Sequence, residues 1–391
     1  MTSPGPSASG ALDGLRVLDL SRVLAGPYAT MMLADLGAHV TRVEQPVVGD
    51  ETRAWGPPWI GSAPRPDDTD GGRESSYFLG VNRNKTSVSL DLREASDLQR
   101  VRGLAAEVDV VVENFRPGTA DRLGVGYADL AAVRPGLVYC SISGFGSGDG
   151  AHLPGYDLVV QAAGGLMSIT GHPGSGPVKT GVALVDVITG LHAATGILAA
   201  LRHRDATGEG QHVEVSLLTS LLSALTSQSS AYVHAGVVAG PMGNAHPSIA
   251  PYETVPTADR PLAVAAANDG LFARLCRAIG REDLLEDPRF ASNPNRVRHR
   301  PDLMAELTRT FASRGADDWF AVLVAAGVPA APVNDIRQAV SLAASLGLAP
   351  VTRPEQPRTD IGDGRGVPQV RSPFTMSRTP PRHRTDPPPL A

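Results

Sequence analysis

Short apolar runs alternate with helical patterns through the first half of the chain, and this alternation limits the fold more than any other feature. Helical patterns fill the intervals near 27–36 and 95–107. Strand and helix in this order are typical of a parallel sheet with helices on both faces. We therefore predict an open, Rossmann-like parallel sheet, with ligands beyond the carboxyl ends of its strands. The predicted strands are LRVLDL (15–20), AHVTRVE (38–44), SVSLDL (87–92), VDVVVEN (108–114) and LVYCSIS (137–143).

The second half of the chain changes character near Gly240. Before that point a helix is predicted from Asp186 to Arg204, followed by the strand HVEVS (212–216) and a long apolar helix to about Val237. Residues 250–330 contain short strands and several helices, which indicates a smaller α+β domain. The first ten residues and the proline-rich stretch PRHRTDPPPLA (381–391) are predicted to be disordered.

Composition excludes several classes of protein. The formal net charge is −5, so no basic excess is available to attract nucleic acid or an anionic membrane. No run of about 18 apolar residues occurs, so no transmembrane helix is expected. The two cysteines, Cys140 and Cys276, form neither a disulfide framework nor a zinc ribbon, which favours a reducing cytoplasm. The histidines lack metal-ligand spacing, so no metal site is predicted.

Familiar catalytic and nucleotide-binding motifs are missing. The glycine-rich GFGSGDG (144–150) follows a strand, but no GxGxxG opens a helix after the first strand, where SRVLAGP (21–27) stands instead. The phosphate loop GxxxxGK[ST] and the GxSxG element are also absent from the sequence. These absences argue against ordinary dehydrogenases, ATPases and serine hydrolases.

Two groups of basic residues are candidates for phosphate binding. In ENFRPG (113–118), Arg116 follows a strand and Arg122 lies one helical turn beyond, and guanidinium groups match phosphate oxygens. The segment beginning NRNK (82–85) adds Arg83, Lys85 and Arg93. The alternatives are solvated loop arginines in the first group and a charged turn in the second.

Two aspartates have positions that need an explanation. In PGYDLVVQA (154–162), Asp157 follows Tyr156 at the start of a helix, where it either caps that helix or has a catalytic role. In GVALVDVITG (181–190), Asp186 lies inside an apolar stretch, where a carboxylate needs a partner or a function. The alternative for Asp186 is a helix N-cap.

Taken in order, these segments resemble the class III coenzyme A-transferase family over about 330 residues. The sequence is most similar to the succinyl-CoA–glutarate branch and is related to α-methylacyl-CoA racemases and formyl-CoA transferases. The matching segments are VLDLSRVLAGPYATMMLADLGAHVTRVEQP, GDETRAWGPP, NRNKTSVSLDL, VVENFRPGTADRLGVGY, YCSISGFG, GYDLVVQAAGGLMSITG, VALVDVITGLHAATGILAAL and TGEGQHVEVSLL.

The resemblance implies roles for particular residues. Asp186 matches the family's nucleophilic aspartate, and Asp157 and Tyr156 belong to the same catalytic region. The related racemases have an acid/base histidine where Tyr156 stands, which favours transfer over racemisation. Many relatives have arginine where Gln45 stands, and Arg42 or Arg83 is expected to supply that charge. The implied CoA contacts are Leu24, Ala25, Gln45, Leu90, Asp91, Leu92, Arg93, Asn114, Phe115, Arg116, Arg122, Leu153, Pro154, Gly155 and Tyr156.

The resemblance also implies the architecture and the reaction. It implies a large CoA-binding domain (1–228), a small domain (229–330) and a return segment (331–391) with a disordered tail, in an interlocked homodimer. Acyl-CoA and a carboxylic acid would be the substrates, with no permanently bound cofactor. Succinyl-CoA is the expected donor, and a dicarboxylic acid such as glutarate, mesaconate or itaconate the expected acceptor. An acyl-CoA α-proton racemase and an inactive CoA-binding protein are the alternatives.

Overall fold

The computed structural model describes residues 10–61, 73–361 and 363–390. The chain divides into two compact units. The large unit contains the residues up to Leu166, Lys179–Val237 and the residues from Ala349 onward. The small unit contains Met167–Val178 and Val238–Leu348. The large unit is therefore assembled from three separate stretches of sequence.

The strands carry the framework of both units. In chain order they are β1 (Arg16–Asp19), β2 (His39–Glu44), β3 (Trp59–Ile60), β4 (Glu74–Ser75), β5 (Lys85–Ser89), β6 (Val110–Glu113), β7 (Val138–Ser143), β8 (His212–Ser216), β9 (Tyr252–Val255), β10 (Leu262–Ala265), β11 (Ala330–Pro332), β12 (Val351–Thr352) and β13 (Gln369–Val370).

The helices fill the intervals between these strands. In chain order they are α1 (Ala25–Asp35), α2 (Ser76–Leu79), α3 (Ala95–Glu107), α4 (Thr119–Arg122), α5 (Tyr127–Val133), α6 (Asp157–Ala163), α7 (Leu166–Ile169), α8 (Leu184–Thr207), α9 (Leu217–Ala224), α10 (Thr226–Ala235), α11 (Asp269–Ala278), α12 (Asp283–Glu286), α13 (Asn293–Arg298), α14 (Arg300–Phe311), α15 (Ala316–Ala325) and α16 (Ile336–Ser345). Short 3₁₀ turns occur at Glu51–Ala54 and Asp149–His152.

A six-stranded parallel sheet forms the centre of the large unit, which confirms the predicted α/β class. Its strand order is β5-β2-β1-β6-β7-β8. Counted along the chain, the strands of this sheet therefore lie in the order 3-2-1-4-5-6. Such a sheet has a switch point between its first and fourth strands, here β1 and β6, where ligands of doubly wound folds bind. Val110, Val111 and Val112 of β6 are fully buried, as expected for a strand covered on both faces.

The predicted strands of this sheet are all present, but one of them ends early. The strand predicted over 87–92 becomes β5, which ends at Ser89. Leu90, Asp91 and Leu92 therefore leave the sheet at its carboxyl edge. These three residues, predicted as the end of the strand, therefore lie in the region where ligands bind.

Helix α8 is the longest helix and packs along the sheet. Among the described residues it alone is long and apolar enough to span a bilayer by composition. Its Val185, Ala193 and Ile197 are fully buried in a core cluster shared with residues of β1, β6 and β7. Burial in that core accounts for the apolar composition of this face of the helix.

Two predictions about the later chain are wrong. The long apolar helix predicted to Val237 is two helices, α9 and α10, because Thr226 adopts a left-handed φ of 39° at their junction. The proline-rich stretch 381–391 is not a free tail over its described part. Asp386 is buried and its carboxylate accepts backbone N–H groups from Val367 and Arg358, each at 2.8 Å. The predicted N-terminal tail lies almost wholly outside the described residues.

The small unit has a core of its own. Its antiparallel sheet has the order β11-β10-β9. Phe272, Leu303, Leu307, Phe311 and Trp319 pack together beside it from α11, α14 and α15. The Phe311 and Trp319 rings lie 4.9 Å apart, and the indole N–H of Trp319 donates to the Phe311 carbonyl at 2.9 Å.

A buried charge network lies at the carboxyl ends of β1 and β2. Arg42 is fully buried and its guanidinium is paired with Asp50. The same guanidinium lies 3.9 Å from Asp19 and 3.8 Å from Glu44. Lys85 donates to Asp19 at 3.1 Å, and its burial lowers its pKa to about 8. Paired charges of this kind are tolerated in a core only while every partner is present.

Candidate active site

Asp186 is the third residue of α8 and is half-buried. The N-cap of this helix is Ala183, so the alternative that Asp186 is an N-cap is wrong. Burial, and then the negative charge of Asp157, raise the pKa of Asp186 to about 7. The carboxylate therefore stays more basic than an ordinary aspartate, although an acid in the first turn of a helix is normally stabilised in its charged form.

Asp157 caps α8 rather than its own helix. Its Oδ1 accepts the backbone N–H groups of Val185 at 2.8 Å and Asp186 at 3.1 Å. Its other oxygen accepts from the side-chain amide of Gln161, which is 1% exposed. The side-chain oxygen Oε1 of Gln161 in turn accepts the Thr180 N–H at 3.0 Å. This chain of bonds fixes both Asp157 and the first turn of α8.

The loop before Asp157 is exposed. Tyr156 is the N-cap of α6 without a side-chain capping bond, and 54% of its surface is accessible. Leu153 and Pro154 are also exposed. Gly155 lies so close to Gly144 that a Cβ on it would stand 2.4 Å from the Gly144 Cα. Glycine at both positions therefore lets the loop before Asp157 lie against the segment after β7, at a distance that a side chain would prevent.

Tyr77, which the sequence analysis did not identify, lies in the same region. Burial, and then the charges of Asp186 and Asp157, raise the pKa of Tyr77 to about 12. Its ring packs against the same apolar cluster as Ala183, the N-cap of α8, and Val187, the residue after Asp186. The phenol consequently remains a hydrogen-bond donor at any physiological pH. No motif marks Tyr77, since it lies in a helix of only four residues.

The segment between β1 and α1 is held by side chains from three directions. Asn114 accepts the Arg22 N–H at 2.8 Å and donates to the Arg22 carbonyl at 2.7 Å. Asp50 accepts the Val23 N–H at 3.1 Å, and Asp19 accepts the Ser21 N–H at 3.0 Å. Val23 has φ of 66°, which a β-branched residue adopts only when its surroundings impose it.

This segment lies beside the helix that carries Asp186. Leu24 and Ala25, two of the predicted contacts, are buried at the start of α1. Gly190 lies one turn after Asp186, and a Cβ on it would stand 2.7 Å from the Ala25 carbonyl oxygen. The two helices therefore approach closely through glycine. The strained segment and the nucleophile candidate share one region of the large unit.

A cavity of about 300 Å³ opens at the switch point of the sheet. It brings together Gln45, Leu90–Arg93 and Phe115 of the predicted contacts. It also includes Arg22, which the prediction omitted. The lining residues are Leu20, Arg22, Val43, Glu44, Gln45, Leu90, Asp91, Leu92, Arg93, Phe115 and Leu123.

The other predicted contacts are placed elsewhere in the large unit. Arg116 lines a neighbouring cavity of about 260 Å³ that shares Phe115 with the first. Arg122 lines neither cavity, and its guanidinium donates to the Thr119 hydroxyl at 2.8 Å. The amide of Asn114 is occupied by the Arg22 backbone. Arg116 and Arg122 are therefore not brought together in one cavity.

The expectation that Arg42 or Arg83 supplies a phosphate contact is wrong. Arg42 is fully buried and paired with Asp50. Arg83 is 5% exposed and its guanidinium donates to both oxygens of Asp35, at 2.6 and 2.9 Å. Lys85 is likewise committed, to Asp19. Internal carboxylates neutralise these cations. Of the second basic group, Arg93 lines the cavity at the switch point, whereas Arg83 lines a separate cavity together with its partner Asp35.

Comparison with known proteins agrees with this geometry. The sequence pattern of CoA-transferase family III matches residues 12–391. The chain is 40% identical to a succinate–glutarate CoA-transferase of Agrobacterium fabrum, over 98% of this chain and 94% of that protein. It is 39% identical to an acetyl-CoA:oxalate CoA-transferase of Acetobacter aceti, over 88% and 86% of the two chains.

A solved structure extends the likeness to the whole fold. A CAIB/BAIF family protein from Brucella suis superimposes with a TM-score of 0.85 at 39% sequence identity, covering 98% of this chain and 97% of that one. The match covers nearly the whole chain and so includes both units. With a family pattern, relatives and a fold that all agree, this chain belongs to CoA-transferase family III and is a CoA-transferase.

Proposed function

We propose that this enzyme moves CoA from an acyl-CoA donor to a carboxylic acid through a covalent intermediate on Asp186. The observation that carries the proposal is the half-buried Asp186 carboxylate, whose pKa is raised to about 7 in the first turn of α8. Burial protects an activated acyl group from water, and a raised pKa makes the ionised carboxylate a better nucleophile. Tyr77 adds a protonated phenol beside it.

The proposed reaction conserves the thioester's activation in two exchanges. The Asp186 carboxylate attacks the donor thioester carbonyl, the C–S bond breaks, and a mixed anhydride and CoA thiolate form. The thiolate attacks the aspartyl carbonyl of that anhydride, which releases the donor acid and leaves an aspartyl-CoA thioester. The acceptor carboxylate attacks this thioester and expels CoA thiolate. The thiolate then attacks the acceptor's acyl carbonyl, giving the new acyl-CoA and free Asp186.

The cavity at the switch point supports the binding half of the proposal. Residues after four strands meet there, as nucleotide sites in doubly wound sheets require. Leu90, Leu92 and Phe115 offer apolar surface, and Arg22 and Arg93 offer positive charge. We assign the nucleotide end of CoA to this cavity, with the thioester reaching the Asp186 region past Leu24 and Ala25.

The pH dependence of the rate reports on Asp157. Because transfer needs ionised Asp186, we expect the rate to fall as the pH drops below about 7. Asp157→Asn removes the neighbouring negative charge and lowers the pKa of Asp186, so its acid limb moves to lower pH. Burial, the larger cause of the raised pKa, remains, so the move is partial. The measurement is kcat/KM against pH, and an acid limb that stays in place contradicts the assignment.

A screen of acids tests the function itself. Succinyl-CoA is the proposed donor and a dicarboxylic acid the proposed acceptor, because relatives are named for succinate, glutarate and oxalate. We expect new acyl-CoA, detected by mass spectrometry, with at least one acid from a set containing glutarate, mesaconate, itaconate and oxalate. If the folded protein forms no new acyl-CoA from any donor and acid tried, the proposed function is wrong.

Two alternative functions give different results in the same assay. A racemase would exchange the α-proton of a 2-methylacyl-CoA for deuterium and would transfer no CoA. The exposed tyrosine at position 156, a poor base near neutral pH, argues against it. An inactive CoA-binding protein would bind CoA without either reaction.

We also propose that the chain forms an interlocked homodimer, as its resemblance to the family implies. Large apolar side chains on α8, α9 and α10 are exposed in the single chain, including Leu191, Leu198, Leu222, Tyr232 and Val233. Exposed apolar surface of this extent is typical of an interface. A solution mass of one chain, measured by light scattering, would contradict the proposal.

A further inference from the structure

The cavity at the switch point contains one cation that no carboxylate neutralises. Its lining includes two arginines, Arg22 and Arg93, and two acids, Glu44 and Asp91. Arg93 donates to both oxygens of Asp91, at 2.9 and 2.7 Å, and these bonds hold the pKa of Asp91 at about 2. Glu44 is bound by Arg53 at 2.7 and 2.8 Å. Within the described parts of the chain, the Arg22 guanidinium has no ion-pair partner.

The Arg22 backbone is fixed to a degree unusual for an exposed residue. The Asn114 amide binds both its N–H and its carbonyl, which ties the end of β1 to the end of β6 across the switch point. The next residue, Val23, is held in a left-handed conformation by Asp50. An exposed residue on a surface loop normally has no such support. The support fixes where the Arg22 side chain leaves the backbone and enters the cavity wall.

The other cations near these strand ends are already used. Arg42, Arg83 and Lys85 are buried and paired with internal aspartates. Gln45 brings an amide and no charge into the wall that contains Arg22. A phosphate entering this cavity therefore meets one guanidinium that is free to form charge-assisted bonds.

We propose that Arg22 binds a phosphate group of CoA, so it is a binding residue outside the set that the sequence indicated. The inference rests on the proposed function, because it takes CoA as the ligand of this cavity. The guanidinium fork matches two phosphate oxygens, and a lysine cannot reproduce that geometry. CoA offers two phosphate sources, the 3′-phosphate and the pyrophosphate.

Calorimetric titration with CoA and with dephospho-CoA tests the inference. We expect Arg22→Gln to weaken CoA binding about tenfold, the size of one exposed charge-assisted contact, and Arg22→Lys to weaken it less. If Arg22 meets the 3′-phosphate, the variant and the parent bind dephospho-CoA equally. If it meets the pyrophosphate, the variant also binds dephospho-CoA more weakly. Either result supports the phosphate contact.

Matched variants separate this contact from a general loss of charge. Arg100→Gln removes an exposed arginine on α3 whose partner is Asp97, and it should bind CoA within about twofold of the parent. Gln45→Arg, added to Arg22→Gln, returns a guanidinium to the same wall and should recover most of the affinity. An Arg22→Gln protein that binds both ligands like the parent overturns the inference. If the parent protein binds no CoA, the proposed function itself is wrong.

Discussion

Replacing Asp186 by alanine is expected to lower the rate of CoA transfer by about 10³-fold or more, because the acyl group then has no carboxylate to accept it. The fold should survive the change. The backbone N–H at position 186 still donates to Asp157, and alanine is well suited to a helix. Initial rates with the donor and acid found in the screen give the comparison.

The thermal stability of the Asp186→Ala protein is its internal control. Since the folded-state pKa of Asp186 is raised above its value in an unfolded chain, the ionised carboxylate destabilises the folded protein as the pH rises through 7. Removing it should leave the Tm at pH 8 equal to that of the parent or higher. Mass spectrometry should show an acyl or CoA adduct on Asp186 in the parent alone. A variant that keeps the parental rate would show that another group carries the acyl.

The largest effect on stability is expected from Arg42→Met, which should lower the free energy of unfolding by about 3–5 kcal/mol. Arg42 is fully buried, binds Asp50, and donates to the side-chain oxygen Oδ1 of Asn82 at 2.8 Å. Without Arg42, less positive charge lies near Asp19 and Asp50 to compensate for the cost of burying their carboxylates. Lys85 and Arg42 hold the pKa of Asp19 below its ordinary value against the effect of burial, so the penalty should shrink as the pH falls and Asp19 becomes protonated in the variant.

Urea denaturation followed by circular dichroism measures this loss. The control is Arg100→Met, the same substitution at an exposed pair whose atoms lie 3.6 Å apart. It should change stability by less than about 0.5 kcal/mol. Since two units can unfold in two steps, the midpoint assigned to the large unit is the quantity to compare. Equal midpoints for the two variants would contradict a structural role for the buried network.

The sheet was predictable because its strands leave few alternatives. An apolar, β-branched run such as VDVVVEN, followed by polar residues and a helical pattern, is compatible with little other than a buried parallel strand. Where the pattern gave no local signal, the prediction was wrong. No residue pattern in the apolar stretch after β8 predicts the break at Thr226, because that break comes from one backbone angle.

The candidate site was only partly predictable, because its essential contacts join distant parts of the chain. Asp157 binds N–H groups 28 and 29 residues away, so its own sequence context suggested a local cap. A charged turn was one interpretation of Arg83 and Lys85 in the sequence. Only the fold shows that Arg83 forms an ion pair with Asp35 and that Lys85 forms one with Asp19. Tyr77 carries no motif and is identified by its proximity to two carboxylates.

The discontinuous large unit has a consequence for how the protein is made. Asn84 binds the backbone of Arg384 and Thr385, and those residues are synthesised after every residue of the small unit. The small unit can therefore reach its native contacts while translation continues, whereas the large unit must keep a gap open until the last stretch leaves the ribosome. During that interval Asn84 and its surroundings lack the backbone partners that Arg384 and Thr385 later supply.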